Sequence, residues 1–461
     1  MTAARFRWLA RTTIACALSF LLVRPVSAQH DVGSPIVATS LTPEQLKADI
    51  GAFRIGFMGR DKSFSPEARA EAEKRLAALE AEGDALTPVR VDLVLAQVAA
   101  LADNGHTRAS AGGLASRHPR VGVRFTPFGE EFHVLRTREP LAHLLGARLV
   151  AIDAHSMDEL RSAARTLSGG TAAWRDRIAN VLLESPELLR GLGLANATDG
   201  ARYTFVLADG RRVDERLVGE VGAADAPAAP SHRWLSPTPL RAEGTAWRAL
   251  RTVDDVPWSL RDPSVPFRWR MAPEIRGAVL QLRITTDAPD RSIKDALNEM
   301  AEMLDREHPG NVVLDMRANG GGDLNKARDF VQALPGRARG RVFVLTSPWT
   351  FSAAISSVGY LKQTAPARVT IVGEPVGDRL MFWAEGSGTT LPNSKAQFGL
   401  ATQRHDYQGG CKGYTDCHGN VVRFPIAVPS LEPDLAAPLT FESYAAGRDA
   451  GMEAIVAALK R

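Results

Sequence analysis

A serine at the start of a predicted helix is the first residue in this sequence that could do chemistry. The chain reads Thr350-Phe351-Ser352-Ala353-Ala354, shortly after an apolar strand that ends at Leu345. Free N–H groups and the positive end of a helix stabilise a nearby anion, so Ser352 has the surroundings of a nucleophile. Serine at a helix start also commonly acts only as a helix cap, and that alternative stays open.

A nucleophilic serine needs a base, and the sequence contains ten histidines. His106 stands out because Asp103-Asn104-Gly105-His106-Thr107 follows a predicted helix. The Asn-Gly pair breaks the helix and presents the imidazole on a turn, where we expect an exposed ring. The alternative is a solvated histidine without a catalytic role.

A glycine-rich loop follows a second buried strand. Arg317-Ala318-Asn319-Gly320-Gly321-Gly322-Asp323 leaves the strand at Asp315. Three glycines allow backbone N–H groups to turn toward an oxyanion. The loop lacks the Gly-Lys-Ser/Thr ending and the Gly-x-Gly-x-x-Gly spacing of nucleotide sites, which disfavours a bound nucleotide. A tight turn without a binding role is the remaining alternative.

The polar loop near the C-terminus contains two cysteines. Cys411 and Cys417 lie among glycines, with His405 and His418 on either side. In an exported chain a local disulfide is the default. A zinc site formed by these thiolates and imidazoles is the alternative.

The pattern of helices and strands predicts how these residues are positioned. Three helical segments between residues 42 and 101 form an N-terminal helical layer, and a hairpin follows at residues 120–138. Strand, helix and strand signals between residues 144 and 207 indicate a small α+β module, with an extra helical piece at 171–194. From residue 276, strands and helices alternate, which predicts an α/β domain with a largely parallel sheet and a site at the strand C-terminal ends.

Charge and composition exclude several classes of protein. The chain has 461 residues, 45% of them hydrophobic, and a net charge of +4. Four arginines lie in the first 28 residues, so the remainder carries 52 basic and 52 acidic residues. This balance disfavours nucleic-acid binding. Beyond the first thirty residues no apolar run is long enough to span a membrane.

The first 28 residues are typical of a secretory signal. A basic start precedes an apolar run from Ile14 to Val23, and Val26-Ser27-Ala28 resembles a cleavage site. We therefore expect a protein of the bacterial envelope, periplasmic or extracellular.

Together, Gly105-His106-Thr107, the glycine loop, Thr350 to Ala354 and Ile371 to Gly377 resemble the tail-specific, or C-terminal-processing, serine peptidase family. The closer likeness is to the tricorn-core branch, which uses a histidine base. The resemblance implies a ClpP/crotonase-like layered sheet, with a degenerate PDZ-like module at residues 139–217.

The resemblance also implies roles for individual residues. Ser352 is the expected nucleophile, His106 the general base, and the backbone N–H groups of Gly320, Gly321 and Ala353 the oxyanion donors. Gly377-Asp378-Arg379 stands where another branch carries its lysine base. For the third catalytic residue we expect Asp406, with Glu374 and Asp416 as rivals.

These observations predict an exported serine peptidase that acts on peptides or proteins, without cofactor or metal. A non-catalytic peptide-binding or scaffold protein is one alternative. A metal-dependent hydrolase that uses His405, Cys411, Cys417 and His418 is another. The expected regions are a signal peptide (1–28), a helical region (29–113), the hairpin and PDZ-like module (114–221), a linker (222–275) and the catalytic domain (276–461).

Overall fold

The computed structural model describes residues 41–220, 230–240, 243 and 246–460. The expected signal peptide therefore lies outside the described residues. No helix in the described part of the chain is long and apolar enough to cross a membrane.

The N-terminal layer contains three helices, as the sequence predicts: α1 (Pro43–Phe53), α2 (Pro66–Ala81) and α3 (Pro88–Ala100). Each begins at proline, and the preceding residue, Thr42, Ser65 or Thr87, accepts a hydrogen bond from a first-turn N–H group. Proline has no N–H to leave unpaired in the first turn, so these sequences start helices well.

Short strands and five short helices follow, and every strand but the first joins one antiparallel sheet. These elements are β1 (Arg108–Ala109), α4 (Ala111–Arg117), β2 (Val123–Phe128), β3 (Glu131–Arg138), β4 (Arg148–Ile152), β5 (His155–Ser156), α5 (Met157–Arg165), α6 (Ala172–Asp176), α7 (Asn180–Leu183), α8 (Pro186–Gly191), β6 (Gly200–Val206), β7 (Arg212–Val218) and β8 (Trp247–Ala249). The strand order is β2-β3-β4-β6-β7, with β5 on β4 and β8 on β3.

The helical layer and this sheet share one hydrophobic core. The predicted hairpin is β2 and β3, and the extra helical piece is α6 to α8. Whether this region is a PDZ-like module stays a prediction.

The main sheet has six strands in the order β18-β13-β12-β11-β10-β9. Its elements in chain order are β9 (Phe267–Ala272), β10 (Gly277–Leu282), α9 (Ile293–Glu307), β11 (Asn311–Asp315), α10 (Leu324–Arg337), β12 (Val342–Thr346), α11 (Ala353–Thr364) and β13 (Val369–Gly373). Strands β10 to β13 are parallel, as the alternating pattern predicts, and β9 is antiparallel. The sheet begins at Phe267, within the predicted linker.

The remaining elements pack around the main sheet and reach back to the N-terminal layer. They are β14 (Met381–Ala384), β15 (Thr389–Thr390), β16 (Gln397–Gly399), β17 (Gln403–Asp406), α12 (Gly419–Arg423), β18 (Leu435–Ala436), α13 (Phe441–Ala445) and α14 (Ala450–Leu459). Strand β16 pairs with β1, two residues after His106. This pairing brings the front of the chain to the loops of the α/β region.

Candidate active site

Ser352 lies between β12 and α11 in a strained backbone conformation. Its φ is 55° and its ψ is −126°, in a region that residues other than glycine rarely adopt. The side chain is half-buried and makes no helix-capping hydrogen bond. The helix-cap alternative is therefore wrong.

The loop before Ser352 is bonded to the start of the glycine loop. The Thr350 hydroxyl donates to the Met316 carbonyl (2.9 Å), and the Ser347 hydroxyl donates to the Arg317 carbonyl (2.6 Å). The Phe351 N–H donates to the Asn319 carbonyl (3.0 Å). These contacts hold the two loops that the sequence singles out at one edge of the main sheet.

Gly321 lies directly against Ser352. Its φ is +101°, and a Cβ atom added there would lie 2.7 Å from the Ser352 Cβ and 2.9 Å from the Ala353 nitrogen. The Gly321 N–H donates to the Asn319 side-chain oxygen (2.9 Å), so it is already engaged. Ala353 begins α11, where N–H groups have no partner within the helix. Of the three predicted oxyanion donors, Gly321 is therefore the one whose N–H group already has a hydrogen-bond partner.

The His106 ring lies between two aromatic side chains. Its centroid is 4.4 Å from that of Phe351, which directly precedes Ser352, and 5.4 Å from that of Phe382. Both ring nitrogens are buried and make no hydrogen bond. The expectation of an exposed ring is wrong, because the ring stacks against two phenyl groups and only 17% of the side chain is exposed.

A carboxylate lies beside the imidazole. The Nδ1 atom of His106 is 3.8 Å from Oδ2 of Asp378, and this oxygen also has no hydrogen-bond partner. These two atoms are within ion-pair range. A small shift of either side chain would bring them to hydrogen-bond distance.

Two features fix the turn that carries His106. The Asn104 side chain exchanges two hydrogen bonds with the backbone of Trp383, both 3.0 Å long. A Cβ atom on Gly105 would lie 2.9 Å from the Phe351 ring and 3.0 Å from Asp378 Oδ2. Only glycine allows the turn to approach this closely.

Burial shifts the pKa values of His106 and Asp378. Burial, assisted by Arg108, His405 and Arg177, holds the pKa of His106 well below its usual value. Burial raises the pKa of Asp378 to about 7, against the opposing effects of the Arg379 N–H, Arg379 and Arg108. At neutral pH the imidazole is therefore unprotonated.

The carboxylates expected from the sequence have other partners. Asp406 accepts hydrogen bonds from the N–H groups of Gln408, Gly409 and Cys411. Glu374 accepts from the Leu439 N–H, and Asp416 pairs with Arg404. Among the described carboxylates, Asp378 is the one in ion-pair range of His106. Its signal in the sequence was the Gly-Asp-Arg stretch at the position of the other branch's lysine.

Trp174, in helix α6, contacts the loop that carries Ser352, which the sequence did not predict. The Trp174 ring stacks on Phe351, with centroids 3.7 Å apart. The guanidinium groups of Arg108 and Arg177 lie over the Trp174 ring. The loop that carries Ser352 is therefore bounded by aromatic and basic groups from the N-terminal half.

The cysteines of the polar loop form the predicted disulfide, with an S–S distance of 2.08 Å. A metal-dependent hydrolase that uses both thiolates together with His405 and His418 is incompatible with this bond, because disulfide sulfur is not a thiolate ligand.

No protein-family profile and no curated protein matches the chain. Solved structures do match. A structure of mature CPAF complexed with lactacystin has a TM-score of 0.56 at 12% identity and covers 91% of this chain and 98% of that chain. A structure of mature CPAF alone has a TM-score of 0.52 at 11% identity and covers 91% of this chain and 97% of that chain.

A photosystem II D1 C-terminal processing protease also matches, with 14% identity, coverage of 91% of this chain and 98% of that chain, and a TM-score of 0.39. At such identities the likeness concerns the fold. The chain thus shares its fold with the CPAF structures.

Proposed function

We propose that this protein is an exported serine peptidase with Ser352 as nucleophile and His106 as general base. The observation that carries the proposal is the placement of the imidazole against Phe351, next to a strained serine at a helix start. In this proposal the neutral imidazole supplies the base, and the N–H groups of Ala353 and Gly320 supply the oxyanion site.

In this proposal the third catalytic residue is Asp378 and not Asp406. Asp378 faces Nδ1 of His106, which leaves Nε2 to accept the Ser352 proton. An ionised Asp378 holds the imidazole in the right tautomer and stabilises the imidazolium that forms. Asp406 instead fixes the turn before the disulfide.

The reaction proceeds through an acyl-enzyme. The Ser352 hydroxyl oxygen bonds to the carbonyl carbon of the scissile peptide while His106 takes the hydroxyl proton. The carbonyl oxygen becomes an oxyanion and accepts hydrogen bonds from the N–H groups of Ala353 and Gly320. The C–N bond then breaks as the imidazolium returns the proton to the leaving amine. Water, deprotonated by His106, releases the acyl group and regenerates Ser352.

The imidazole and the Ser352 hydroxyl are not hydrogen-bonded to each other here. Catalytic hydrogen bonds are often long in unliganded enzymes and shorten when substrate binds. The same observation favours a second candidate function, a catalytically inactive peptide-binding or scaffold protein. Strand addition of a peptide to the α+β sheet would serve either function.

The expected partners are peptides or proteins outside the inner membrane. The disulfide supports an oxidising compartment, periplasmic or extracellular. The secretory signal supports export, and the balanced charge of the remaining chain gives no support for nucleic-acid binding.

A fluorophosphonate probe tests this proposal. We expect it to label Ser352 in the purified chain, with labelling lost in Ser352→Ala and strongly reduced in His106→Ala. Ser430→Ala, at an exposed serine, is the matched control and should label normally. Lactacystin, present in the CPAF complex, should compete for the label. Absence of labelling in the folded wild type would support the non-catalytic alternative.

A further inference from the structure

Three potential metal ligands converge beside the disulfide loop. Glu385 follows β14, His405 lies in β17, and His418 immediately precedes α12. One ligand atom from each residue lies within 4.8 Å of the other two. The Glu385 Oε1 and His405 Nε2 atoms are 3.1 Å apart.

The His405 ring is oriented through its other nitrogen. Its Nδ1 atom lies 2.8 Å from the Tyr407 hydroxyl, which in turn lies 2.5 Å from the Ser356 hydroxyl. All three of these side chains are buried. Such a contact at the second nitrogen is typical of metal-binding histidines, because it fixes which nitrogen faces the ion. Here it directs Nε2 toward Glu385.

His418 contributes a nitrogen without a partner. Its Nδ1 atom is buried and makes no hydrogen bond. The ring lies parallel to that of His405, with centroids 5.4 Å apart and an interplanar angle of 7°. Its backbone N–H donates to the Arg404 carbonyl (3.0 Å), and the preceding residue, Cys417, is in the disulfide. The backbone that carries the His418 imidazole is therefore held by a hydrogen bond and by the neighbouring disulfide.

The charges around the cluster favour a cation. Glu385 carries one negative charge beside the two imidazoles. Arg404, the neighbouring cation on β17, directs its guanidinium to Asp416 instead. The Glu385 side chain is 38% exposed, so an ion has access from solvent.

We propose that Glu385, His405 and His418 bind one divalent transition-metal ion, Zn²⁺ by preference, with water in the remaining position. Two imidazoles and one carboxylate are a ligand set that suits zinc and disfavours the all-oxygen sites of Ca²⁺ and Mg²⁺. Ligand atoms in a tetrahedral zinc site are about 3.3 Å apart, so binding requires the exposed Glu385 and the half-buried His418 side chains to move inward by roughly 1 Å.

This site is separate from the proposed peptidase residues. The Phe382 ring stacks on both the His405 ring and the His106 ring, at centroid distances of 5.0 and 5.4 Å. The ion would tie β14, β17 and the disulfide loop together. It takes no part in the proposed bond cleavage.

Metal binding tests the inference independently of peptidase activity. The full mature chain is stripped with a chelator, its closed disulfide is verified by thiol titration, and Co²⁺ is added as a spectroscopic probe. We expect one Co²⁺ per chain with the intense visible bands of a tetrahedral site, displaced by Zn²⁺. Calorimetry with Zn²⁺ should give the same stoichiometry.

Variants identify the ligands. Glu385→Gln and His418→Asn should each weaken Zn²⁺ binding at least about tenfold. His143→Asn is the matched control, because this exposed histidine also contacts a glutamate, Glu215. Glu385 is exposed, so its variant reports on binding even where His418→Asn is unstable. Ser352→Ala should bind Zn²⁺ normally, which separates this result from the proposed peptidase function.

The proposal is overturned by an oxidised, folded chain that binds no Co²⁺ or Zn²⁺. It is equally overturned by binding that Glu385→Gln and His418→Asn leave unchanged, because the ion would then sit elsewhere. A proton shared between His405 and Glu385 would in that case account for their short contact.

Discussion

The imidazole of His106 stacks on the phenyl ring of Phe351 with centroids 4.4 Å apart and an interplanar angle of 29°. This contact joins a turn of the N-terminal layer to the loop that carries Ser352. It depends on the pairing of β1 with β16 and on the bonds between Asn104 and Trp383. The candidate site is thus assembled from both ends of the chain.

Replacement of Asp378 should impair catalysis more than binding. In Asp378→Asn the neighbouring carboxylate no longer stabilises the imidazolium, so kcat should fall at least about 100-fold with little change in KM. In the wild type, kcat/KM should rise as the pH passes about 7, because ionised Asp378 supports the base. Peptide-hydrolysis assays across the pH range check both effects, and an unchanged acid limb in the variant would contradict this role.

The same substitution should stabilise the fold at neutral pH. The pKa of Asp378 is raised in the folded state to about 7, so the folded chain binds more protons than the unfolded chain between about pH 4 and pH 7. Wild-type stability therefore falls as the pH rises through this window.

Asp378→Asn lacks this titration, and its free energy of unfolding should exceed that of the wild type by at least about 1 kcal/mol above pH 7. The advantage should disappear near pH 4. Urea unfolding of both chains at several pH values measures the difference. A constant difference at all pH values would argue against a buried, titrating carboxyl at this position.

Replacement of Asp406 should lower the stability of the fold and leave catalysis almost unchanged. Its buried carboxylate accepts three backbone N–H groups, so Asp406→Asn should lower the free energy of unfolding by about 1–3 kcal/mol. The activity of the folded fraction should remain close to wild type. Thermal unfolding combined with active-site titration distinguishes this outcome, and a large loss of kcat in a stable variant would restore Asp406 as the catalytic carboxylate.

Gly105→Ala should displace His106. The added methyl group would lie 2.9 Å from the Phe351 ring and 3.0 Å from Asp378, so the turn must retreat. A displacement of about 1 Å at a catalytic base can cost on the order of 100-fold in kcat/KM. Gly112→Ala is the control, because its added methyl group meets no atom within 4 Å. Equal activities of the two variants would show that the position of His106 does not matter.

Local patterns were sufficient to predict most elements of the fold. The helices that begin at Pro43 and Pro66, and the alternating strands and helices after residue 276, follow from capping residues and hydrophobic periodicity, which act over a few residues. The disulfide between Cys411 and Cys417 was predictable because the two cysteines are close in sequence. Strand β9 was missed although Phe267, Trp269 and Met271 alternate with two arginines, because it ends a stretch rich in proline, alanine and tryptophan that was interpreted as a linker.

Ser352, His106 and the glycine loop could be selected from the sequence because each lies in a short motif at the end of an element. The sequence could not predict that Asp378 and not Asp406 lies beside His106. It also could not predict the burial of His106 or the contact of Trp174 with Phe351. These depend on side chains from distant segments that share one space, and a carboxylate's partners are set by that packing and not by its neighbours in the chain.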